Sequence, residues 1–154
     1  MIRYLVAAFV LGSVSAPALS QACPRPAGWA KPARHLTAAQ PRFRFALKPD
    51  SSAELALRPV RSVTLATKKP GRTSGYAGLA AIDVAKAGKL DVLLSERAYV
   101  DLVRNGQPLK SAAHGRKNCN GIFKSVSFDV APGRYIVQIS DSEAKTLRIA
   151  TISH

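Results

Sequence analysis

Acidic residues, histidine and cysteine are scarce in this sequence, and each shortage limits the chemistry available to the protein. The 154 residues include 9 acidic side chains against 23 lysines and arginines, with 3 histidines and 2 cysteines. His35, His114 and His154 lie far apart, and none of the His-x-His, His-x-x-Glu-His or Cys-x-x-Cys spacings typical of metal sites occurs. No Gly-x-Ser-x-Gly nucleophile elbow and no phosphate loop is present. The sequence therefore predicts no cofactor and favours a non-catalytic protein.

Long apolar runs are also missing, except at the N-terminus. Residues 5–14 are almost wholly apolar, and small residues follow them. About ten apolar residues are too few for a transmembrane helix, which needs ~18 or more, but they suit a signal peptide. We expect residues 1–22 to be a signal peptide, residues 23–41 a proline-rich arm and residues 42–154 the folded domain. The protein is then periplasmic or secreted, and its mature chain has no transmembrane segment.

The two cysteines, Cys23 and Cys119, both follow this leader. In an oxidising compartment such a pair is expected to form a disulfide. It would close a loop of about 95 residues, which the chain-entropy model values at on the order of 4 kcal/mol, and it would fasten the arm to the domain. The alternative is a lipoprotein acylated at Cys23, although the tripeptide Ser-Gln-Ala before it departs from a lipobox. We expect the single Trp29 of the arm to fill an edge of the core rather than stack on a ligand.

Strand-like alternation dominates the rest of the chain. Every second residue is apolar in residues 126–130 and 135–139, the pattern of a strand with one buried face. Asn105-Gly106 fits a type I′ turn, and no amphipathic helix of about three turns is found. The sequence predicts an all-β fold, an antiparallel β-sandwich or jelly roll of about 8–9 short strands. Residues 83–93 and 129–139 share a pattern of strand, glycine turn and strand, which we interpret as two hairpins of one design. The alternative is that a glycine followed by a strand recurs in any antiparallel protein, so the pattern does not establish a duplication.

Positive charge is concentrated in the first part of the predicted mature chain. Residues 23–72 carry 11 basic and 2 acidic side chains, a net charge of +9, whereas residues 73–154 carry 11 and 7, a net charge of +4. Few aromatic residues lie among the basic ones and no nucleic-acid-binding motif occurs, so we expect no nucleic-acid partner.

The densest basic cluster is the loop at residues 68–72, and two further arginines alternate with phenylalanines shortly before it. Such a surface attracts polyanions over a Debye length of ~8 Å at physiological salt. The alternative is that the charge serves solubility and protects a sheet edge. The candidate anion-binding residues are Lys68, Lys69, Arg72, Arg42 and Arg44.

Four short motifs carry a family resemblance: Tyr99-Val-Asp-Leu-Val-Arg-Asn-Gly, Ser111-Ala-Ala-His-Gly, Cys119-Asn-Gly-Ile and Phe128-x3-Pro-Gly-Arg-Tyr-x-Val-Gln-Ile. Together, over residues 52–151, they resemble a group of small exported bacterial β-sandwich proteins without established function. Members often carry the name homogentisate 1,2-dioxygenase, which implies iron chemistry and makes His114 a weak metal candidate. The second histidine of that family's loop is replaced here by Arg116. The Gly-x-Tyr strand is also similar to the pre-peptidase C-terminal sandwich, a non-catalytic module.

Two hypotheses follow for the function. The first is a non-catalytic periplasmic β-sandwich that binds an anionic envelope component or a protein partner. The alternative is a small metal-dependent enzyme of the homogentisate 1,2-dioxygenase label that uses His114.

Overall fold

The computed structural model describes residues 23–37 and 46–154, and the side chains of residues 37 and 116–118 are not described. The predicted signal peptide and the candidates Arg42 and Arg44 lie outside the described residues. No described helix is long and apolar enough to cross a membrane. The described residues form a short 3-10 turn (Val60–Ser62) and the strands β1 (His35–Thr37), β2 (Ala46–Leu47), β3 (Ser52–Ala56), β4 (Arg58–Pro59), β5 (Tyr76–Val84), β6 (Gly88–Leu94), β7 (Tyr99–Arg104), β8 (Gln107–Pro108), β9 (Ala113–Cys119), β10 (Ile122–Val130), β11 (Gly133–Ser142) and β12 (Thr146–Ser153).

These strands form two sheets. Sheet I has the order β1-β3-β12-β6-β10-β9, and sheet II has the order β2-β5-β11-β7-β8, with β4 also paired to β5. The predicted all-β sandwich is confirmed. Two pairings, β1 with β3 and β2 with β5, are parallel, so the sheets are mixed rather than purely antiparallel. The strand number exceeds the predicted 8–9 because β1, β2, β4 and β8 have only two or three residues, too few for alternation to reveal.

The core lies between the sheets, because alternate residues of each long strand point inward. The inward-pointing residues are mostly large and apolar, and each such side chain stabilises the fold by about 1.5–3 kcal/mol when fully buried. Among the fully buried ones are Leu55, Leu94, Phe128 and Ile149 from sheet I and Ile82, Leu102, Tyr135 and Ile139 from sheet II.

The two segments interpreted as hairpins are corners between the sheets, so that prediction was wrong. The chain passes from β5 in sheet II to β6 in sheet I, and from β10 in sheet I to β11 in sheet II. Val84 is paired with Gly133 and Gly88 with Val130, so the two corners lie side by side. A glycine turn between two half-buried strands is equally compatible with a hairpin and with such a corner, and the sequence does not distinguish them.

The outer faces of both sheets are partly covered by irregular chain. On sheet II, apolar residues around the 3-10 turn pack onto Ala77 and Leu79. On sheet I, Trp29 of the arm is 5% exposed and packs onto Leu93, Ile122 and Ala150. It is buried as predicted, but in a small cluster on the outer face of the sheet rather than at an edge of the core between the sheets.

The predicted disulfide is present and fastens this arm to the end of β9. The Cα atoms of Cys23 and Cys119 are 5.9 Å apart, within the usual range for a disulfide. The bond occupies the sulfur that lipidation of Cys23 would require.

Candidate anion-binding cleft

A cleft of about 410 Å³ is lined by residues from both sheets. Sheet I contributes His114 of β9 and Lys124 of β10. The loop before β5, the loop before β7 and the end of β11 contribute Arg72, Arg97 and Asp141. Two residues singled out in the sequence, Arg72 and His114, are thus brought together, although 42 positions separate them.

The loop that carries Arg72 is fixed to the outer face of sheet II by a buried polar network. Gln138, which is fully buried, accepts a hydrogen bond from the Ala66 amide (2.8 Å) and donates one to Asp101 (3.0 Å). The same Asp101 carboxylate accepts a hydrogen bond from the Gly71 amide (3.3 Å). Burial raises the pKa of Asp101, and the bonds from Gly71 and Gln138 oppose that rise. The chain is therefore fastened to sheet II at Ala66, before the basic loop, and at Gly71, next to Arg72.

Tyr99 and Lys124 form the floor beside this loop. A side chain at Gly71 would overlap the Tyr99 ring, so glycine permits the loop to lie directly on the ring. The Lys124 ammonium donates to the Ala98 carbonyl (2.7 Å) and lies 5.5 Å from the centre of the Tyr99 ring. A cation over an aromatic face gains about 0.5–1 kcal/mol at an exposed site. Lys124 is therefore held at the cleft by two separate contacts.

Asp141 orients the two arginines. It has a positive φ of 54° and lies where the register of β11 shifts between Ile139 and Ser142. Its carboxylate accepts a hydrogen bond from the Ser74 hydroxyl and lies 3.4 Å from a nitrogen of Arg72 and 3.6 Å from a nitrogen of Arg97. The Ser74 bond and, after it, the two guanidinium groups lower the pKa of Asp141 against the opposing effect of burial. Asp141 is therefore ionised at neutral pH.

The cleft keeps an excess of positive charge and an apolar surface. Three cationic side chains and one carboxylate line it. Phe123 also lines the cleft and is 37% exposed. Among the described residues, no other large apolar side chain is exposed. Guanidinium groups bind carboxylate and phosphate oxygens through two parallel hydrogen bonds, and aromatic rings pack against flat apolar or sugar surfaces. The lining is suited to an anionic group attached to a larger organic body.

Sequence reasoning missed Arg97, Phe123, Lys124 and Asp141. In β10 the register shifts between Ile122 and Lys124, so simple alternation does not hold there. Residues two apart in a regular strand point to the same face, but Ile122 packs on the outer face of sheet I with Trp29. Lys124 instead pairs with Leu94, whose side chain is in the core, so Lys124 is on the opposite face from Ile122. No signal in the sequence marks this bulge.

Among the described residues, the two predicted anion-binding lysines are not in the cleft. Lys68 and Lys69 are exposed on the loop but do not line it. Arg42 and Arg44 lie outside the described residues. His114 is exposed, and within the described part of the chain no group of three or more His, Cys, Asp or Glu residues could hold a metal ion.

The sequence matches no family model and no curated protein. Among solved structures the fold is similar to the pre-peptidase C-terminal domain of a collagenase from Bacillus anthracis, with 13% identity and a TM-score of 0.41. The similarity covers 77% of this chain and 92% of that chain. At this level it does not identify a function, and the β-sandwich is established by the strand pairing of this chain itself.

Proposed function

We propose that the protein is a non-catalytic exported β-sandwich that binds an anionic component of the cell envelope in this cleft. The observation that carries the proposal is the convergence of Arg72, Arg97 and Lys124, from three separate segments, on one opening. Export is supported by the leader at residues 1–22 and by the disulfide, because disulfides persist in oxidising compartments.

The ion pairs already present in the cleft leave it able to accept an anion. The side chains of Arg72 and Arg97 are 59% and 50% exposed. Pairs this exposed contribute about 0–1 kcal/mol, so a carboxylate or phosphate oxygen can share or replace them at small cost. Each guanidinium has five N–H donors. Asp141 takes part of them at Arg72, and Asp141 and Glu143 together take part of them at Arg97. The Tyr99 and Phe123 rings would contact the apolar or sugar part of the ligand.

The proposal is tested by two charge-matched double variants. Arg72→Gln with Lys124→Gln removes two positive charges from the cleft, and Lys68→Gln with Lys69→Gln removes two from the neighbouring loop surface. We expect the cleft variant to bind vesicles of phosphatidylglycerol and phosphatidylcholine several-fold more weakly than the loop variant at low salt, with both melting temperatures near that of wild type. Equal losses in the two variants would mean that only diffuse charge acts.

A protein partner is the other possibility that the sequence left open. If wild type shows no salt-sensitive binding to anionic vesicles or to lipopolysaccharide, the anionic envelope component is ruled out. The partner must then be sought among proteins.

Iron chemistry at His114, which the homogentisate 1,2-dioxygenase label implies, is the alternative function. Its support is that His114 lies in the same cleft as Asp141. Metal analysis of the protein purified without chelators distinguishes the two functions. Stoichiometric iron or zinc in wild type that is lost in His114→Ala would favour the enzyme over our proposal.

A further inference from the structure

A second cavity, of about 580 Å³, lies on the outer face of sheet I, between the N-terminal arm and the turn that joins β9 to β10. Its charged lining consists of Arg25 and Lys31 from the arm and Arg148 from β12. No described aspartate or glutamate lines it. Three positive charges thus face one cavity without a carboxylate, whereas in the first cleft Arg72 and Arg97 share Asp141.

Arg148 is the central group of this cavity. It is half-buried, its guanidinium lies 5.2 Å from the centre of the Trp29 ring, and it donates a hydrogen bond to the Trp29 carbonyl (3.2 Å). Among the described residues, no carboxylate forms an ion pair with Arg148. This includes Glu96, which lines a neighbouring cavity together with Arg148. A partly desolvated charge without a counter-ion is unfavourable, and an anion in the cavity would relieve that cost.

The cavity is built on fixed elements. The Trp29 indole N–H donates to the Asn120 carbonyl (2.7 Å), which ties the arm to the β9–β10 turn. The disulfide holds the arm two residues before Arg25. A side chain at Gly121 would come within 3.0 Å of the Arg148 guanidinium, and the φ of 71° there favours glycine as well. The chain segment that carries Arg25 and Lys31 is therefore fastened beside Arg148 by a covalent bond and by the contacts of Trp29.

We propose that this cavity is a second anion site, and that it binds a phosphate group, either free or attached to a sugar. Arg148 would donate two parallel hydrogen bonds to phosphate oxygens, a geometry for which guanidinium is suited, and Arg25 and Lys31 would neutralise the remaining charge at the mouth. A doubly charged oxyanion matches three cations better than a single carboxylate does. The volume is in the range of about 300–1,000 Å³ typical of ligand pockets, so a sugar phosphate fits.

This site is independent of the proposed cleft function, since it lies on the outer face of sheet I and shares no lining residue with the cleft. Trp29 is the single tryptophan of the sequence, so its fluorescence reports on this cavity alone. Calorimetric titration with inorganic pyrophosphate at low salt gives the affinity, and the Trp29 signal gives the location. We expect saturable binding accompanied by a change in Trp29 fluorescence.

Three variants decide the assignment. Arg148→Gln is expected to weaken pyrophosphate binding about tenfold or more, because it removes a charged hydrogen-bond donor. Arg25→Gln with Lys31→Gln, at two exposed positions, should weaken it several-fold with an unchanged melting temperature, which keeps the test valid if Arg148→Gln fails to fold. Arg72→Gln with Lys124→Gln, in the other cleft, should leave the Trp29 response unchanged.

Glucose 1-phosphate and glucose separate the possible sources of the phosphate. Equal affinity for pyrophosphate and glucose 1-phosphate supports a site for the phosphate group itself, and tighter binding of glucose 1-phosphate supports a phosphorylated sugar. The proposal is overturned if pyrophosphate gives no saturable heat, if the Arg25 and Lys31 variant binds as wild type does, or if uncharged glucose produces the same response.

Discussion

Among single residues, Asp141 contacts two of the three cationic side chains that line the cleft. It accepts the Ser74 hydroxyl and holds Arg72 and Arg97 at the opening, from a backbone conformation with positive φ. Because these contacts lower its pKa in the folded protein, the stabilisation they give is present above the ordinary value of 3.8 and is lost as the pH falls below it.

Asp141→Asn isolates this effect, since asparagine also tolerates positive φ. We expect the melting temperature at pH 7 to fall by a few degrees, because the charge that holds two arginines is removed. As the pH falls below 3.8 the melting temperatures of variant and wild type should draw together, because protonation of wild-type Asp141 removes the same charge. A constant difference between them at every pH would show that the carboxylate charge is not what stabilises this corner.

At the scale of elements, the basic loop depends on Gln138. This side chain joins the Ala66 amide to Asp101 and so fastens the loop to β11 and β7. Gln138→Leu keeps an apolar stem but leaves the Ala66 amide and the Asp101 carboxylate with one partner fewer. A lost buried partner costs about 1–3 kcal/mol, and the cost should be felt most in the loop.

Hydrogen exchange measures this local loosening. We expect faster exchange of the amides of residues 66–72 in Gln138→Leu, while the amides of β12 in the other sheet keep their protection. Weaker vesicle binding should accompany it, because Arg72 is no longer positioned. Uniformly faster exchange in both sheets would mean that Gln138 stabilises the whole sandwich rather than the loop.

The long strands were predictable from the sequence, whereas the cleft and the strand directions were not. Alternation revealed the long strands, and the loop containing Arg72 was identified as the densest basic cluster. The cleft itself was not predictable, since Arg97, Lys124 and Asp141 meet Arg72 only after distant strands pair, and a bulge after Ile122 sets the direction of Lys124. The parallel pairings of β1 with β3 and of β2 with β5 were equally hidden, because alternation carries no information about strand direction.

At the scale of the whole molecule, the disulfide joins the arm to the sandwich across 96 positions of sequence. Reduction should lower the free energy of unfolding by up to about 4 kcal/mol, because the unfolded chain regains the entropy of an open loop. Freed from this constraint, Trp29 should become more exposed, with a red shift of its fluorescence. Mass spectrometry of the native protein should find a linked Cys23–Cys119 peptide, and a lipid-modified Cys23 with a free Cys119 would contradict it.

Anion binding in the cleft is tested most directly by mapping where an anionic ligand contacts the protein. Amide chemical shifts of the uniformly ¹⁵N-labelled mature protein can be followed by NMR during titration with short-chain phosphatidylglycerol. We expect saturable shifts concentrated at Ala98, Tyr99, Gly115 and Asp141, which reverse as sodium chloride is added. Shifts confined to Lys68 and Lys69, or spread evenly over the basic surface, would contradict a cleft that recognises anionic envelope material.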